Sequence, residues 1–170
     1  MEVIDNFLDK DSFDFFKQEV TSHYFPWYFN ETKVKASNNI NDYQFVNIFQ
    51  DGNTGNFLLD PFKKKLEVSN FIRAKLNCTT RTYKIHKFPA HKDMEVDCNI
   101  CVFYVNTNNG YTEFENGEKV KSVENRVVIF DNNIKHFGTT STDTKRRMVL
   151  NLAFKKSIYI GGNNKGNITL

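Results

Sequence analysis

The sequence predicts a mainly β protein: an antiparallel barrel or double-sheet jelly roll with flanking helices packed on one outer face. Three observations support this fold class. From Thr79 onward, apolar and polar residues alternate with a period of two in short segments, as in half-buried strands. Turn-forming pairs such as Asn116-Gly117 separate these segments. The 17 Phe and 7 Tyr residues also need a large core, which a barrel or sandwich provides.

Two helices are predicted before the strands. The first covers Asp9–Tyr24, with Asp11 or Ser12 as N-cap. Its apolar stripe is formed by Phe13, Phe16 and Val20, with Phe15 as a further candidate. The second begins at Asp60-Pro61, because proline fits the first position of a helix, where its missing N–H costs no hydrogen bond. Its predicted buried side comprises Phe62, Leu66, Val68, Phe71, Ile72 and Leu76.

The remaining segments complete the predicted architecture. Residues 25–29 (FPWYF) are predicted to be a buried aromatic segment, and residues 43–49 (YQFVNIF) an edge strand between mobile polar flanks. The predicted strands of the β region are Thr80–Phe88, Asn99–Asn106, Tyr111–Glu115, Glu118–Ser122, Arg126–Asp131 and Arg147–Phe154. We predict a single domain over residues 1–170, with a helical support at 1–77, a β core at 78–156 and a loose tail at 157–170.

Composition and charge exclude several classes of function. The formal net charge of +3 is small, and basic residues are spread along the chain, so no nucleic-acid-binding surface is expected. The N-terminus lacks the basic and apolar regions of a signal peptide, and no apolar run is long enough to cross a membrane. The odd number of cysteines (Cys78, Cys98 and Cys101) favours free thiols in a reducing compartment. A cytoplasmic protein is therefore expected.

The strongest candidate site is a metal site formed by His91, Asp93 and His136. Positions i and i+2 of a strand project to the same side, so His91 and Asp93 can reach one ion. A second strand ends at Asp131, and His136 follows it in a short loop. Two imidazoles and one carboxylate on one face leave positions open for oxygen and a bidentate ligand, as in non-haem Fe(II) oxygenases.

An arginine pair follows the distal histidine and offers a partner for a carboxylate co-substrate. Arg147 would share a strand face with Val149, Asn151 and Ala153, whose small or polar side chains suit a pocket. Arg146 would share the opposite, packing face, so we prefer Arg147 as the anchor.

Other candidates are weaker. His86 is more simply a surface or supporting histidine than a spare ligand. Cys98 and Cys101 form a C-x-x-C pair, but the sequence has no second pair to complete a zinc site, and a strand is the wrong context for a redox pair.

Residues 78–156 resemble the catalytic core of the 2-oxoglutarate- and Fe(II)-dependent dioxygenases, in particular the prolyl-hydroxylase-like branch. The chain is also short and rich in Asn, Lys and Phe, and in this it is similar to members of the family from phages and marine bacteria. The matching pieces occur in the family's order: His91-Lys92-Asp93, Tyr104-Val105-Asn106, Gly110-Tyr111-Thr112-Glu113-Phe114, Val128-Ile129-Phe130, His136 and Arg147. The chain departs from the pattern at Val149, where the family often has Ser or Thr, and at Asn109, where it has the first of two glycines.

The resemblance implies a double-stranded β-helix, the jelly-roll core shared with cupins. It implies Fe(II) held by His91, Asp93 and His136, with 2-oxoglutarate and O2 as co-substrates. Arg147 would hold the distal carboxylate of 2-oxoglutarate, and Tyr104 and Asn151 are further candidates for co-substrate contacts. The implied reaction is hydroxylation of a peptidyl proline or another protein side chain. A free amino acid or other small metabolite is the alternative substrate, and a non-catalytic cupin-like binding or structural protein is the alternative from another class.

Overall fold

The computed structural model describes residues 1–33, 39–49 and 56–155. In these residues, α1 spans Lys10–Thr21, a 3-10 helix spans Asn56–Leu59, and α2 spans Asp60–Leu66. The strands are β1 (Glu2–Ile4), β2 (Tyr28–Asn30), β3 (Gln44–Phe49), β4 (Arg73–Thr80), β5 (Asn99–Tyr104), β6 (Tyr111–Phe114), β7 (Lys119–Lys121), β8 (Arg126–Asp131), β9 (His136–Gly138) and β10 (Arg146–Phe154).

The strands form two antiparallel sheets, which confirms the predicted jelly-roll core. The larger sheet has seven strands in the order β1-β8-β5-β10-β4-β3-β2, and the smaller has three in the order β7-β6-β9. β10 lies at the centre of the larger sheet, between β5 and β4. Its residues from Arg147 to Phe154 are all buried, as expected for a strand that is covered on both faces.

Each face of the larger sheet packs against a different layer. On one face, Phe103 of β5 packs edge-on against Phe16 of α1 and Phe62 of α2, with ring centroids 5.8 and 4.9 Å apart. The helices therefore lie on one outer face, as predicted. The opposite face packs against the smaller sheet, where Phe114 and Phe130 are 4.9 Å apart. The candidate site lies on this second face.

The first helix is shorter than predicted, and the predicted N-cap was wrong. Asp9 is the N-cap, because its carboxylate accepts a hydrogen bond from the backbone N–H of Ser12 at 2.9 Å. Asp11 lies inside the first turn instead, where its negative charge favours the helix dipole. The predicted stripe is buried at Phe13, Phe16 and Val20, but its further candidate Phe15 is exposed.

The second helix was predicted far too long. It ends at Leu66, because Glu67 adopts a left-handed conformation with φ of 55° and closes the last turn. The chain then enters β4, whose buried residues Ala74, Leu76 and Cys78 alternate as in a strand. The strand predicted over Thr80–Phe88 was also wrong, since β4 ends at Thr80 and the following segment is irregular.

Two further differences concern β9, in the smaller sheet, and β3, in the larger one. His136 was predicted in a loop but lies in β9, which pairs with β6. β3 was predicted as an edge strand, but β2 covers it on its outer side. Parts of the predicted polar flanks of β3, in residues 34–38 and 50–55, and the predicted tail from residue 157 lie outside the described residues. None of the described helices is long and apolar enough to cross a membrane.

Candidate metal centre

The three candidate metal ligands meet where the chain bridges onto β9. The backbone N–H of His91 donates to the carbonyl oxygen of His136 at 3.1 Å, and that of His136 donates back to His91 at 3.2 Å. This isolated antiparallel bridge fixes the two histidines side by side, although His91 lies outside the named strands. Asp93 follows two residues later, on the chain that leaves the bridge.

The donor atoms of these residues converge on one point. Each of the three offers a ligand atom, and these atoms lie within 4.8 Å of one another. The Nε2 atom of His136 is 3.3 Å from a carboxylate oxygen of Asp93. His91 places its Nδ1 atom 3.1 Å from the carbonyl oxygen of Pro89, a contact that orients its ring. Two imidazoles and one carboxylate at this spacing fit the preferences of mononuclear Fe(II).

Two side chains of the larger sheet hold the carboxylate of Asp93. A guanidinium N–H of Arg73, on β4, donates to one carboxylate oxygen at 2.8 Å. The side-chain amide of Asn151, on β10, donates to the other at 2.9 Å. Arg73 also donates to the backbone carbonyl of Asp93 at 2.8 Å, so neither the carboxylate nor its backbone is free to turn.

The electrostatics keep the site in the protonation state that a metal needs. Burial lowers the pKa of His136 to about 4 and also lowers that of His91, so both imidazoles are neutral at pH 7. Burial opposes ionisation of Asp93, but the nearby His136 and Arg73 and the hydrogen bond from Asn151 outweigh it, so the pKa of Asp93 lies below its usual range. Neutral imidazole and carboxylate are the ligating forms.

A cavity of about 600 Å³ extends from this triad to Arg147. Arg147 is only 2% exposed, and its Nε–H donates to the Ser122 hydroxyl at 2.8 Å. Its guanidinium makes no ion pair with an acidic side chain among the described residues. Gly110 lets the backbone lie against it, because a Cβ there would stand 2.6 Å from the Cδ atom of Arg147.

The neighbouring arginine points to the other side of the sheet. A guanidinium N–H of Arg146 lies 3.4 Å from the carbonyl oxygen of Thr21, at the end of α1. Arg147 therefore takes the cavity face that strand alternation assigned to it, and Arg146 the helix face.

The polar groups of Tyr104 and Asn151, the two further candidates for co-substrate contacts, have hydrogen-bond partners within the protein. The Tyr104 hydroxyl donates to Thr112 at 2.9 Å and is fully buried, with the Arg147 guanidinium 5.6 Å from its ring centre. Asn151 lines the cavity, but its amide is engaged with Asp93 and Arg73. Tyr104 thus contacts Arg147 through Thr112, and Asn151 holds the carboxylate of Asp93.

The weaker candidates lie away from the triad's donor atoms. The Nε2 atom of His86 is 2.5 Å from the carboxylate of Asp42. Cys98, just before β5, and Cys101, within it, are free and buried in different core layers, so they cannot act as a pair.

Sequence reasoning missed two cations of the site, Arg73 and Lys33. Arg73 was assigned to the second helix, and its side chain faces Asp93 only because that segment is β4. Lys33 reaches the cavity from the segment after β2. No local pattern marks Lys33, because its place depends on contacts with distant parts of the chain.

Several of the solved structures that the chain resembles are prolyl hydroxylases. A Trichoplax adhaerens prolyl hydroxylase in complex with a hypoxia-inducible-factor peptide fragment matches with a TM-score of 0.67 and 14% identity, over 91% of this chain and 83% of that one. A Pseudomonas putida prolyl-4-hydroxylase matches with a TM-score of 0.63 and 13% identity, over 91% of both chains. A viral collagen prolyl hydroxylase of Paramecium bursaria Chlorella virus-1, solved with 2-oxoglutarate, matches with a TM-score of 0.57 and 13% identity, over 89% of this chain and 93% of that one.

Sequence comparison adds no relative. No family model matches the chain. No curated protein matches it either. At these identities the structural matches establish the fold alone, which this chain shares with those three prolyl hydroxylases over about nine-tenths of its length.

Proposed function

We propose that this protein is an Fe(II)- and 2-oxoglutarate-dependent oxygenase. The observation that carries the proposal is the cavity with His91, Asp93 and His136 at one part of its wall. At another part lies the guanidinium of Arg147, which has no acidic partner among the described residues. A 2-oxo dicarboxylate needs both features, since its keto-acid end chelates a metal and its other end needs a cation.

The chain's own residues would position the reactants. His91, Asp93 and His136 would hold Fe(II), with Arg73 and Asn151 fixing the carboxylate ligand. Arg147, oriented by Ser122, would receive the distal carboxylate of 2-oxoglutarate in a water-poor environment, where a charged hydrogen bond is strong. Bound Fe(II) would supply the activation of O2 that couples decarboxylation of 2-oxoglutarate to oxidation of the substrate.

For the substrate we propose a peptidyl proline or another protein side chain. The supporting observation is that the neighbours in fold are prolyl hydroxylases, one of them in complex with a peptide. A small-molecule hydroxylase of the same superfamily remains the second candidate, because the roughly 600 Å³ cavity is also large enough for a free amino acid.

A test without a known substrate is 2-oxoglutarate consumption. Anaerobically purified protein, loaded with Fe(II), should bind one equivalent of iron and release succinate slowly when oxygen is admitted. His91→Ala, Asp93→Ala and His136→Ala should each lose iron and succinate release while keeping the native circular-dichroism spectrum. A chelator-treated sample that binds no Fe(II) on reloading would instead favour a non-catalytic cupin-like protein.

A second assay addresses the substrate class. Proline-containing peptides and free amino acids are added in parallel, and stimulation of succinate release above the uncoupled rate is measured. Stimulation by peptides and a mass increase of one oxygen on proline would support the peptidyl substrate. Stimulation by a free amino acid alone would contradict it.

A further inference from the structure

Lys33 is held at the cavity by contacts to two other parts of the chain. Its backbone N–H donates to the carbonyl oxygen of Asp42 at 2.7 Å. The buried carboxylate of Asp42 contacts His86, whose ring packs edge-on against Phe88 at 5.0 Å. The Lys33 ammonium lies 3.8 Å from the centre of the Phe88 ring, in cation–π geometry. The lysine is therefore anchored at both its backbone and its side chain.

The ammonium lies over β9, close to the part of the wall that carries Arg147. A Cβ at Gly138 would stand 2.9 Å from the Nζ atom of Lys33, so the glycine provides the room for it. Gly138 is paired with Thr112 of β6, and the Thr112 hydroxyl is 3.4 Å from a guanidinium nitrogen of Arg147. The two cations therefore lie against two paired residues of neighbouring strands: Lys33 against Gly138 of β9, and Arg147 against Thr112 of β6.

Both cations lack an anionic partner within the described part of the chain. Lys33 and Arg147 each line the cavity, and neither forms an ion pair with a carboxylate there. The nearby Asp93 is already engaged by Arg73. Burial, and next the charge of Arg147, lower the pKa of Lys33 to about 7. Two such cations with no anion between them are unfavourable, and a bound anion would relieve both the desolvation and the repulsion.

We propose that Lys33 is a second binding residue for the distal carboxylate of 2-oxoglutarate, acting together with Arg147. The inference rests on the proposed function and extends it, because it places a co-substrate contact on a segment outside the β core. Since Lys33 and Arg147 would share one carboxylate, Lys33 contributes selectivity for a dicarboxylate over a keto acid that lacks the second carboxylate.

The test measures binding rather than turnover. Mn(II)-loaded protein is titrated calorimetrically with 2-oxoglutarate and with 2-oxobutyrate, which has the same chelating end but no distal carboxylate. Lys33→Met should raise the dissociation constant of 2-oxoglutarate by about ten-fold or more, as expected for loss of a charge-assisted contact, and leave that of 2-oxobutyrate nearly unchanged. The matched control is Lys84→Met, an exposed lysine, which should change neither.

The variants separate failure of the inference from failure of the proposed function. If Arg147→Met weakens 2-oxoglutarate binding and Lys33→Met does not, the oxygenase proposal stands and the role of Lys33 is refuted. Equal weakening of both ligands by Lys33→Met also refutes it, because the loss would then be independent of the distal carboxylate. If the wild-type protein binds Mn(II) but not 2-oxoglutarate, the proposed function itself fails.

A second measurement uses the unaltered protein and covers the case in which Lys33→Met does not fold. Lysine acetylation by a limiting amount of acetic anhydride is quantified by mass spectrometry, with and without saturating ligand. 2-Oxoglutarate should protect Lys33 at least several-fold, whereas 2-oxobutyrate should not, and Lys84 should react equally in all samples. Unchanged labelling of Lys33 with 2-oxoglutarate would overturn the proposal.

Discussion

At the scale of single residues, the carboxylate of Asp93 depends on Arg73 for its orientation. A guanidinium nitrogen of Arg73 lies 2.8 Å from a carboxylate oxygen of Asp93, and a second one donates to the backbone carbonyl of Asp93. We predict that Arg73→Met lowers the affinity for Fe(II) or Mn(II) by roughly 10- to 100-fold, the usual effect of removing a group that orients a metal ligand. Metal titration measures this, and the exposed Arg81→Met is the control. An unchanged affinity in Arg73→Met would show that Asn151 alone suffices.

The arginine pair on β10 gives a second prediction at this scale. Arg147 faces the cavity, whereas Arg146 faces the end of α1. Arg147→Ala should therefore raise the apparent 2-oxoglutarate constant by roughly ten-fold to a hundred-fold, since a charge-assisted hydrogen bond contributes about 1.5–3 kcal/mol. Arg146→Ala should leave it nearly unchanged, and neither should alter metal affinity. Co-substrate titrations on both variants decide the matter, and the reverse result would remove Arg147 from the anchor position.

At the scale of elements, β5 lies between two core layers, and the cysteines at and beside it pack into different layers. Cys101 is fully buried in the core layer that contains the helices, whereas Cys98 directly precedes the strand and is 8% exposed. Burial raises the pKa of both thiols, so neither is a reactive thiolate at pH 7. We predict that Cys101→Ser costs about 1–3 kcal/mol of unfolding free energy, because its hydroxyl lacks a partner, and that Cys98→Ser costs less. Both should keep full metal content, and denaturant titration with metal analysis tests this.

Secondary structure was predicted correctly where the apolar residues follow one period. The prediction was wrong where the spacing fits both a helix and a strand. The strands β5 to β8 and β10 were found because alternation and turn residues agree, as at Asn116-Gly117, whereas the short β9 was missed. The helix predicted after Asp60 was too long, because the spacing of Phe62 and Leu66 fits a helix. The spacing of Ala74, Leu76 and Cys78 fits both a helix and a strand. The boundary is a glutamate, Glu67, in a left-handed conformation, and glutamate gives no sequence signal for it.

The residues of the site likewise divide into those that the sequence predicted and those that it missed. The triad and Arg147 were identified from ordered motifs spread over some sixty residues of the β region. Arg73 and Lys33 were not, because each reaches the cavity only through sheet pairing or through contacts with distant side chains. Residues that carry a motif can therefore be recognised from sequence, but the residues that support them depend on tertiary structure.

At the scale of the whole molecule, folding places His136 between the two sheets, where it is only 5% exposed. Its 3.3 Å contact with Asp93 would favour the charged imidazole, but burial has the larger effect and lowers the pKa of His136 to about 4. The unfolded chain takes up this proton near pH 6.5 and the folded protein only near pH 4, so the unfolded state binds more protons between these values. The stability of the metal-free protein should therefore fall as the pH is lowered from 6.5 to 4.

The lowered pKa of His136 determines how much stability is lost on acidification. A pKa lowered from 6.5 to about 4 corresponds to a loss on the order of 3 kcal/mol by pH 4. Asp93, whose pKa is also lowered, adds a loss in the same direction below pH 4. Denaturant unfolding of chelator-treated protein at pH 7, 6, 5 and 4 measures the slope, and His136→Gln should flatten it. Stability that rises on acidification would mean that the ion pair with Asp93 dominates over burial. Saturating Mn(II) should raise stability at every pH by mass action, most strongly where the imidazoles are neutral.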